Sequence, residues 1–239
     1  MDTALTQHIL GEFMGTFVLV ILGDGVVAAD VLKSTKSKGS GWVLITFGWG
    51  LAVAMAVFMS GYLSPAHLNP AVTIGMAIAG ETPWGYVIPY VLAQMAGAIL
   101  GAVVVWLHYK PYFEATEEPE TVLAVFSTAP GIRDIGNSVI GEIIGTTVLV
   151  FGILAFGRNT FGDGLNPIVV GLLIVSIGMS LGGTTGYAIN PARDLGPRIA
   201  HQFLPITNKG DSDWGYAWVP VIGPMIGGVI AALLFTLIP

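Results

Sequence analysis

The chain has 239 residues, of which 54% are hydrophobic and 10% charged, with a mean hydropathy of +0.77. A soluble domain carries about 25% charged residues, so this composition points to a membrane protein, in which abundant glycine is also common. The net charge of −6 and the lack of any basic cluster beyond "KSTKSK" (Lys33 to Lys38) argue against nucleic acid as a partner, and the absence of cysteine excludes a disulfide framework and thiolate chemistry.

A helix needs about 20 mostly apolar residues to cross a bilayer. Six stretches meet that need, at 8–29, 41–60, 84–109, 137–156, 165–181 and 216–238. The first is too long for the apolar region of a signal peptide, and no cleavage pattern follows it, so it is expected to be retained. Two shorter apolar stretches, 69–79 and 190–203, fit half-helices. Each begins at the same tripeptide, once in "HLNPAVT" (His67 to Thr73) and once in "AINPARD" (Ala188 to Asp194). The acidic segment "EATEEPE", Glu114 to Glu120, reads as a solvated loop.

The chain also repeats itself. "GEFMGTFVLV" at Gly11–Val20 matches "GEIIGTTVLV" at Gly141–Val150, an offset of 130. Asn69 falls on Asn190 at an offset of 121, and the same frame aligns Gly50 with Gly171, Leu51 with Leu172 and Gly61 with Gly182. Further on, Pro89 falls on Pro220, Gly97 on Gly228 and Ile99 on Ile230, an offset of 131. The plan is span, span, half-helix, span, written twice: one channel domain over 1–239, with repeat one about 1–110 and repeat two about 134–239. Three spans per copy place the second copy upside down, and inverted repeats put a site near the midplane where interrupted helices meet.

Proline suits the first turn of a helix and asparagine is a good N-cap. Asn69-Pro70-Ala71 and Asn190-Pro191-Ala192 therefore read as the starts of two half-helices entering from opposite faces. Their positive dipole ends would meet at the membrane centre, repel cations and orient water so that a proton-conducting chain is broken. The segments before them, "SGYLSPAHL" and "GTTGYAI", include His67, Leu68, Ala188 and Ile189. Backbone without helical hydrogen bonds survives at this depth only when buried or lining a water-filled cavity, so these segments are expected to present a ladder of carbonyls along one wall. Glu12 and Glu142 occupy equivalent places in the two repeats. Buried acids are expensive. Accepting hydrogen bonds from the pre-helix loops would use them as scaffolds; the rival role is a proton or cation relay.

The doubled Asn-Pro-Ala, the doubled "GE..GT" and the arginine after the second copy resemble the major intrinsic proteins, the aquaporins, over essentially the whole chain. The "NPARD" form, with Arg198 and Pro220, is similar to the aquaglyceroporin branch and its bacterial glycerol facilitators. The resemblance implies an all-α membrane protein: six transmembrane helices plus two half-helices, forming a right-handed bundle with a central pore. It also implies a homotetramer in the cell membrane with cytoplasmic termini. Counting from the motifs, it places a selectivity filter at Trp49, Gly178, Tyr187 and Arg193. A water-selective filter usually has histidine at the Gly178 position. Glycine there is expected to widen the opening, while Trp49 and Tyr187 form an apolar corner and Arg193 donates hydrogen bonds to solute hydroxyls. Gly178 also suits close helix packing. Facilitators of this branch usually carry phenylalanine where this chain has Tyr187, whose hydroxyl would shrink the opening slightly and add a donor and acceptor.

The function implied is a passive channel for glycerol and other small neutral solutes, permeable to water and excluding protons and ions. Alternatives are a water-selective channel, a channel mainly for protonated lactic acid or another small uncharged solute, and an inverted-repeat secondary transporter. The sequence holds no metal-ligand cluster, nucleophile–base spacing or phosphate loop, so neither catalysis nor a cofactor is expected. His8, His108 and His201 read as interfacial, and Asp194 as a local support for the loop carrying Arg193. Asp24 faces the vestibule or is paired. The lysines at 33, 36, 38, 110 and 209 fall on the face opposite the termini, so the positive-inside rule favours the reverse of the orientation the resemblance implies.

Overall fold

The computed structural model describes residues 3–238; the extreme ends of the two expected repeats, residues 1, 2 and 239, lie outside the described residues. The described residues form nine helices: α1 (Thr3–Val31), α2 (Trp42–Ser60), α3 (Pro70–Ile78), α4 (Trp84–Ala115), α5 (Pro119–Phe126), α6 (Ile135–Gly157), α7 (Leu165–Leu181), α8 (Pro191–Phe203) and α9 (Val219–Thr236). Helices α1, α2, α4, α6 and α9 are long and apolar enough to cross a membrane, and α7, with 17 residues, stands at the lower end of spanning length. Helices α3 and α8 are the two half-helices.

The inverted repeat is visible in the packing. Helix α1 packs on α4 as α6 packs on α9, and α2 packs on α7 across the centre. At that crossing Gly50 and Gly171 face each other so closely that a Cβ on either would stand 2.6 Å from the other's carbonyl oxygen. Gly97 approaches the carbonyl of Phe13 as Gly227 approaches that of Ile143. Contact equivalence therefore pairs Gly97 with Gly227, and the sequence match of Gly97 to Gly228 is one residue out of register. Gly228 instead lies against the Ala71 carbonyl at the start of α3.

The polarity is that of a membrane protein. Leu51, Ile88, Leu92, Leu172 and Leu233 are exposed on the outside, whereas Glu12, Glu142, Asp194 and Arg198 are completely buried. The chain is thus a multi-pass membrane protein, with Glu12 and Glu142 of its spanning helices kept inside and many large apolar side chains turned outward.

Two elements depart from the expected layout. Helix α4 continues past residue 109, through Pro111, to Ala115. The acidic segment then contains the start of a further helix, α5, which buries Val122, Val125 and Phe126 at helical spacing. Phe126 stacks near Phe113 and His201, so α5 closes over the bundle on the face opposite the termini. His201 is therefore not interfacial: it is fully buried, with Nδ1 2.8 Å from Ser212 Oγ. His8 is half-buried, its Nδ1 2.6 Å from the Tyr90 hydroxyl, and His108 is exposed.

Candidate functional site

The site is built from the ends of the two half-helices. Asn69 and Asn190 have extended backbones and cap α3 and α8, each followed by proline in the first turn. Asn69 Oδ1 accepts the Ala71 N–H at 2.9 Å, and Asn190 Oδ1 accepts those of Ala192 and Arg193 at 3.0 and 3.2 Å. The amide groups cross over: Asn69 Nδ2 donates to the Ile189 carbonyl and Asn190 Nδ2 to the Leu68 carbonyl, both at 2.8 Å. Each NH₂ has two hydrogens, so one cross-links the opposite loop and one is left for the cavity that both asparagines line.

Ala66 and Leu68 before the first copy, and Tyr187 and Ile189 before the second, have φ between +40° and +52°. Non-glycine residues in this left-handed region cost about 1–3 kcal/mol each and persist only when their surroundings over-determine them. Two buried acids supply that determination. Glu12 accepts from Ser64 Oγ and the His67 N–H through Oε1, and from the Leu68 N–H and Gln94 Nε2 through Oε2, all within 2.9 Å. Glu142 accepts from Thr185 Oγ1 and the N–H groups of Ala188 and Ile189, at 2.7 to 3.0 Å. Every oxygen of both acids accepts at least one hydrogen bond, which suits a fixed scaffold. Gln94, the one amide side chain of α4, belongs to the first tether and also donates to Thr73 Oγ1.

Asp194 pairs locally, within α8, and it also reaches a loop that the sequence did not single out. It accepts the N–H and hydroxyl of Thr128, both at 2.7 Å, and pairs with buried Arg198 at 2.8 Å. Arg198 in turn donates to the carbonyls of Thr128 and Ser212. This network fixes α8 to the loops on the face opposite the termini, not to the pre-helix loop.

Two cavities meet at the site. One, of about 530 Å³, opens near Arg158 and Asn166 on the terminal side. One wall carries residues 65–69 and 187–190, and the other is apolar, with Leu19, Val53, Val57, Leu149, Ile153 and Ile174. The second, of about 760 Å³, opens beside Glu120, Arg133 and Asp213 on the other face. Trp49, Tyr187 and Arg193 line both. These three side chains, two aromatic rings and one guanidinium, stand where the cavities adjoin, with Arg193 Cζ 4.0 Å from the Trp49 ring centroid.

Gly178 lines neither cavity. A Cβ there would stand 2.7 Å from Tyr187 Cζ and 2.9 Å from Thr46 Cγ2. The space a side chain would take is thus filled by the Tyr187 ring. The Tyr187 hydroxyl lies over Gly178, buried and without a hydrogen-bond partner among the described residues. Trp42 completes the mount: its Nε1 donates to the Gly178 carbonyl at 2.9 Å and its ring meets Tyr187 edge-on at 5.7 Å. Spacing offered no signal for Trp42, since a tryptophan at the end of a span also suits the interfacial belt.

Comparison with known proteins points the same way. A profile of the family described as Major intrinsic protein matches residues 2–235. Glycerol uptake facilitator protein 3 of Lactiplantibacillus plantarum is 60% identical to this chain over the full length of both. The glycerol uptake facilitator protein of Streptococcus pneumoniae strain R6 is 60% identical over 98% of this chain and 100% of its own. Among solved structures, the aquaglyceroporin from Plasmodium falciparum matches with a TM-score of 0.88 and 31% identity, over 98% of this chain and 96% of that one. With capped half-helices meeting between two cavities, and with matches that run nearly end to end, the chain belongs to the major intrinsic protein family.

Proposed function

We propose that the protein is a passive channel of the aquaglyceroporin branch, conducting glycerol and other small neutral solutes together with water. The observation that carries this reading is the shared constriction of Trp49, Tyr187 and Arg193. Two rings give an apolar side for the carbon chain of a polyol, and a permanently charged guanidinium gives donors for its hydroxyls. Beyond the filter, the solute exchanges hydroxyl hydrogen bonds along the loop wall and with the free amide hydrogens of Asn69 and Asn190, while the apolar wall offers no competing partner.

Protons and cations are excluded by the same parts. The N-termini of α3 and α8 meet at the middle of the bundle, and their dipoles place positive potential there. A water molecule accepting from both asparagines must point its hydrogens outward, which interrupts a hydrogen-bonded chain. Close relatives named as glycerol facilitators favour this solute class. The working form is a homotetramer with a pore in each subunit and with both termini on the cytoplasmic side; no step calls for a cofactor.

The reading is tested with Gly178→Ala. A methyl group there must push the Tyr187 ring toward the passage. In proteoliposomes, glycerol permeability should fall at least about tenfold, equivalent to about 1.4 kcal/mol of barrier, while water permeability falls far less. Equal loss of both would contradict the filter assignment.

A further inference from the structure

Asp24 takes no part in tethering the loops. It is completely buried on α1, and neither carboxylate oxygen has a hydrogen-bond partner among the described residues. The other fully buried acids, Glu12, Glu142 and Asp194, each receive at least three donors. A buried charge without hydrogen bonds is costly unless an opposite charge compensates it. The compensating charge is at hand: Asp24 Oδ1 lies 3.6 Å from Arg193 Nη1, which is itself without a hydrogen-bond partner.

The local sequence builds this approach. At Gly23 an added Cβ would stand 2.1 Å from the six-membered ring of Trp49, so only glycine lets the indole rest against α1. The guanidinium lies over that indole, and the next residue, Asp24, reaches its end. The second repeat serves as an internal control. The offset of 130 that aligns Glu12 with Glu142 takes Asp24 to Leu154, a buried apolar residue. The scaffold thus does not require an acid at this place, and the acid occurs only in the repeat whose helix faces the arginine.

We infer that Asp24 is a specificity-determining positioning residue: it is the counter-ion that draws the Arg193 guanidinium against Trp49 and away from the lumen, leaving the constriction wider and nearer to neutral than a lone arginine would make it. The 3.6 Å separation is within ion-pair range but longer than a direct N–H···O bond. The Nη1 donor is therefore held by charge without being locked by a hydrogen bond, and it can turn to a solute hydroxyl. Removing the carboxylate charge lets the guanidinium lean into the passage, where it obstructs a polyol more than a water molecule.

This inference rests on the filter reading, and a double-mutant cycle separates the two. Glycerol and water permeabilities are measured in proteoliposomes for the native chain, Asp24→Asn, Arg193→Gln and the double variant, after confirming that each is monodisperse. Asp24→Asn should lower the glycerol-to-water ratio several-fold, and should have no further effect in the Arg193→Gln background. A change that is the same in both backgrounds, or no change at all while Arg193→Gln alters the ratio, overturns the role of Asp24 and leaves the filter standing. A ratio unmoved by Arg193→Gln overturns both. Should Asp24→Asn alone fail to fold while the double variant folds, the uncompensated guanidinium is the cause and the pairing is upheld.

Discussion

At the scale of single residues, Tyr187 shows how a side chain can lie in a filter without giving it all its chemistry. Its ring forms one wall of the constriction, but its hydroxyl is tucked over Gly178 without a partner. Leaving a buried polar group unsatisfied costs about 1–3 kcal/mol. Tyr187→Phe is therefore expected to raise the thermal unfolding temperature in detergent and to leave the glycerol-to-water permeability ratio within about twofold. A large change in that ratio would mean that the hydroxyl meets the solute. That Trp49, Tyr187 and Arg193 stand together between the two cavities agrees with the count from the two asparagines that the family resemblance supplied. The packing of Tyr187 against Gly178 was not legible, because a count of residues cannot show which neighbour fills the room a glycine leaves. Trp42 and the partner of Asp24 escaped for the same reason: both depend on contacts between segments far apart in the chain.

At the scale of elements, the half-helices were the most legible part of the sequence. Asparagine, proline and an apolar run that stops short of a span leave few other readings. Their strained approach loops were not legible, since nothing in "SGYLSPAHL" or "GTTGYAI" marks Ala66, Leu68 or Ile189 as left-handed. The strain is held by Glu12 and Glu142, which gives a direct prediction. Glu142→Gln replaces an acceptor-only carboxylate with an amide whose NH₂ must face donors from Thr185, Ala188 or Ile189. Hydrogen bonds to a charged group contribute about 1.5–3 kcal/mol each, so the loss should be about 3 kcal/mol or more, read as a lower unfolding temperature and reduced flux. Unchanged stability would show that the loop holds its shape without the acid. Helix α5 escaped the sequence because the four glutamates around its start outweigh its short apolar face, Val122, Val125 and Phe126, in any reading by polarity.

At the scale of the whole molecule, the inverted repeat was readable because matching motifs recur in the same order in both halves, and the packing of α1 on α4 and of α6 on α9 follows from it. The single-residue slip at Gly97 arose because Gly227 and Gly228 are adjacent, so residue identity alone fits either register. The mouth opposite the termini carries a feature the repeat does not explain, the Arg133–Asp213 pair at 2.6 Å, which joins the loop before α6 to the loop before α9. Its hydrogen bonds to Arg133 hold the Asp213 carboxyl below its ordinary range. A depressed carboxylate contributes stability that is present above its unfolded pKa of about 3.9 and is lost as pH falls through the lower, folded value. Flux should therefore be flat from about pH 8 to pH 5, and Arg133→Ala should cost less than about 1 kcal/mol because the arginine is largely exposed. A fall in flux already at about pH 6 would point to a different titrating group. Passive conduction of polyols is measured by stopped-flow light scattering on proteoliposomes exposed to increasing glycerol gradients. A passive pore gives fast re-swelling at a rate proportional to the gradient, without saturation; fast water efflux with no glycerol re-entry would instead make the protein a water channel.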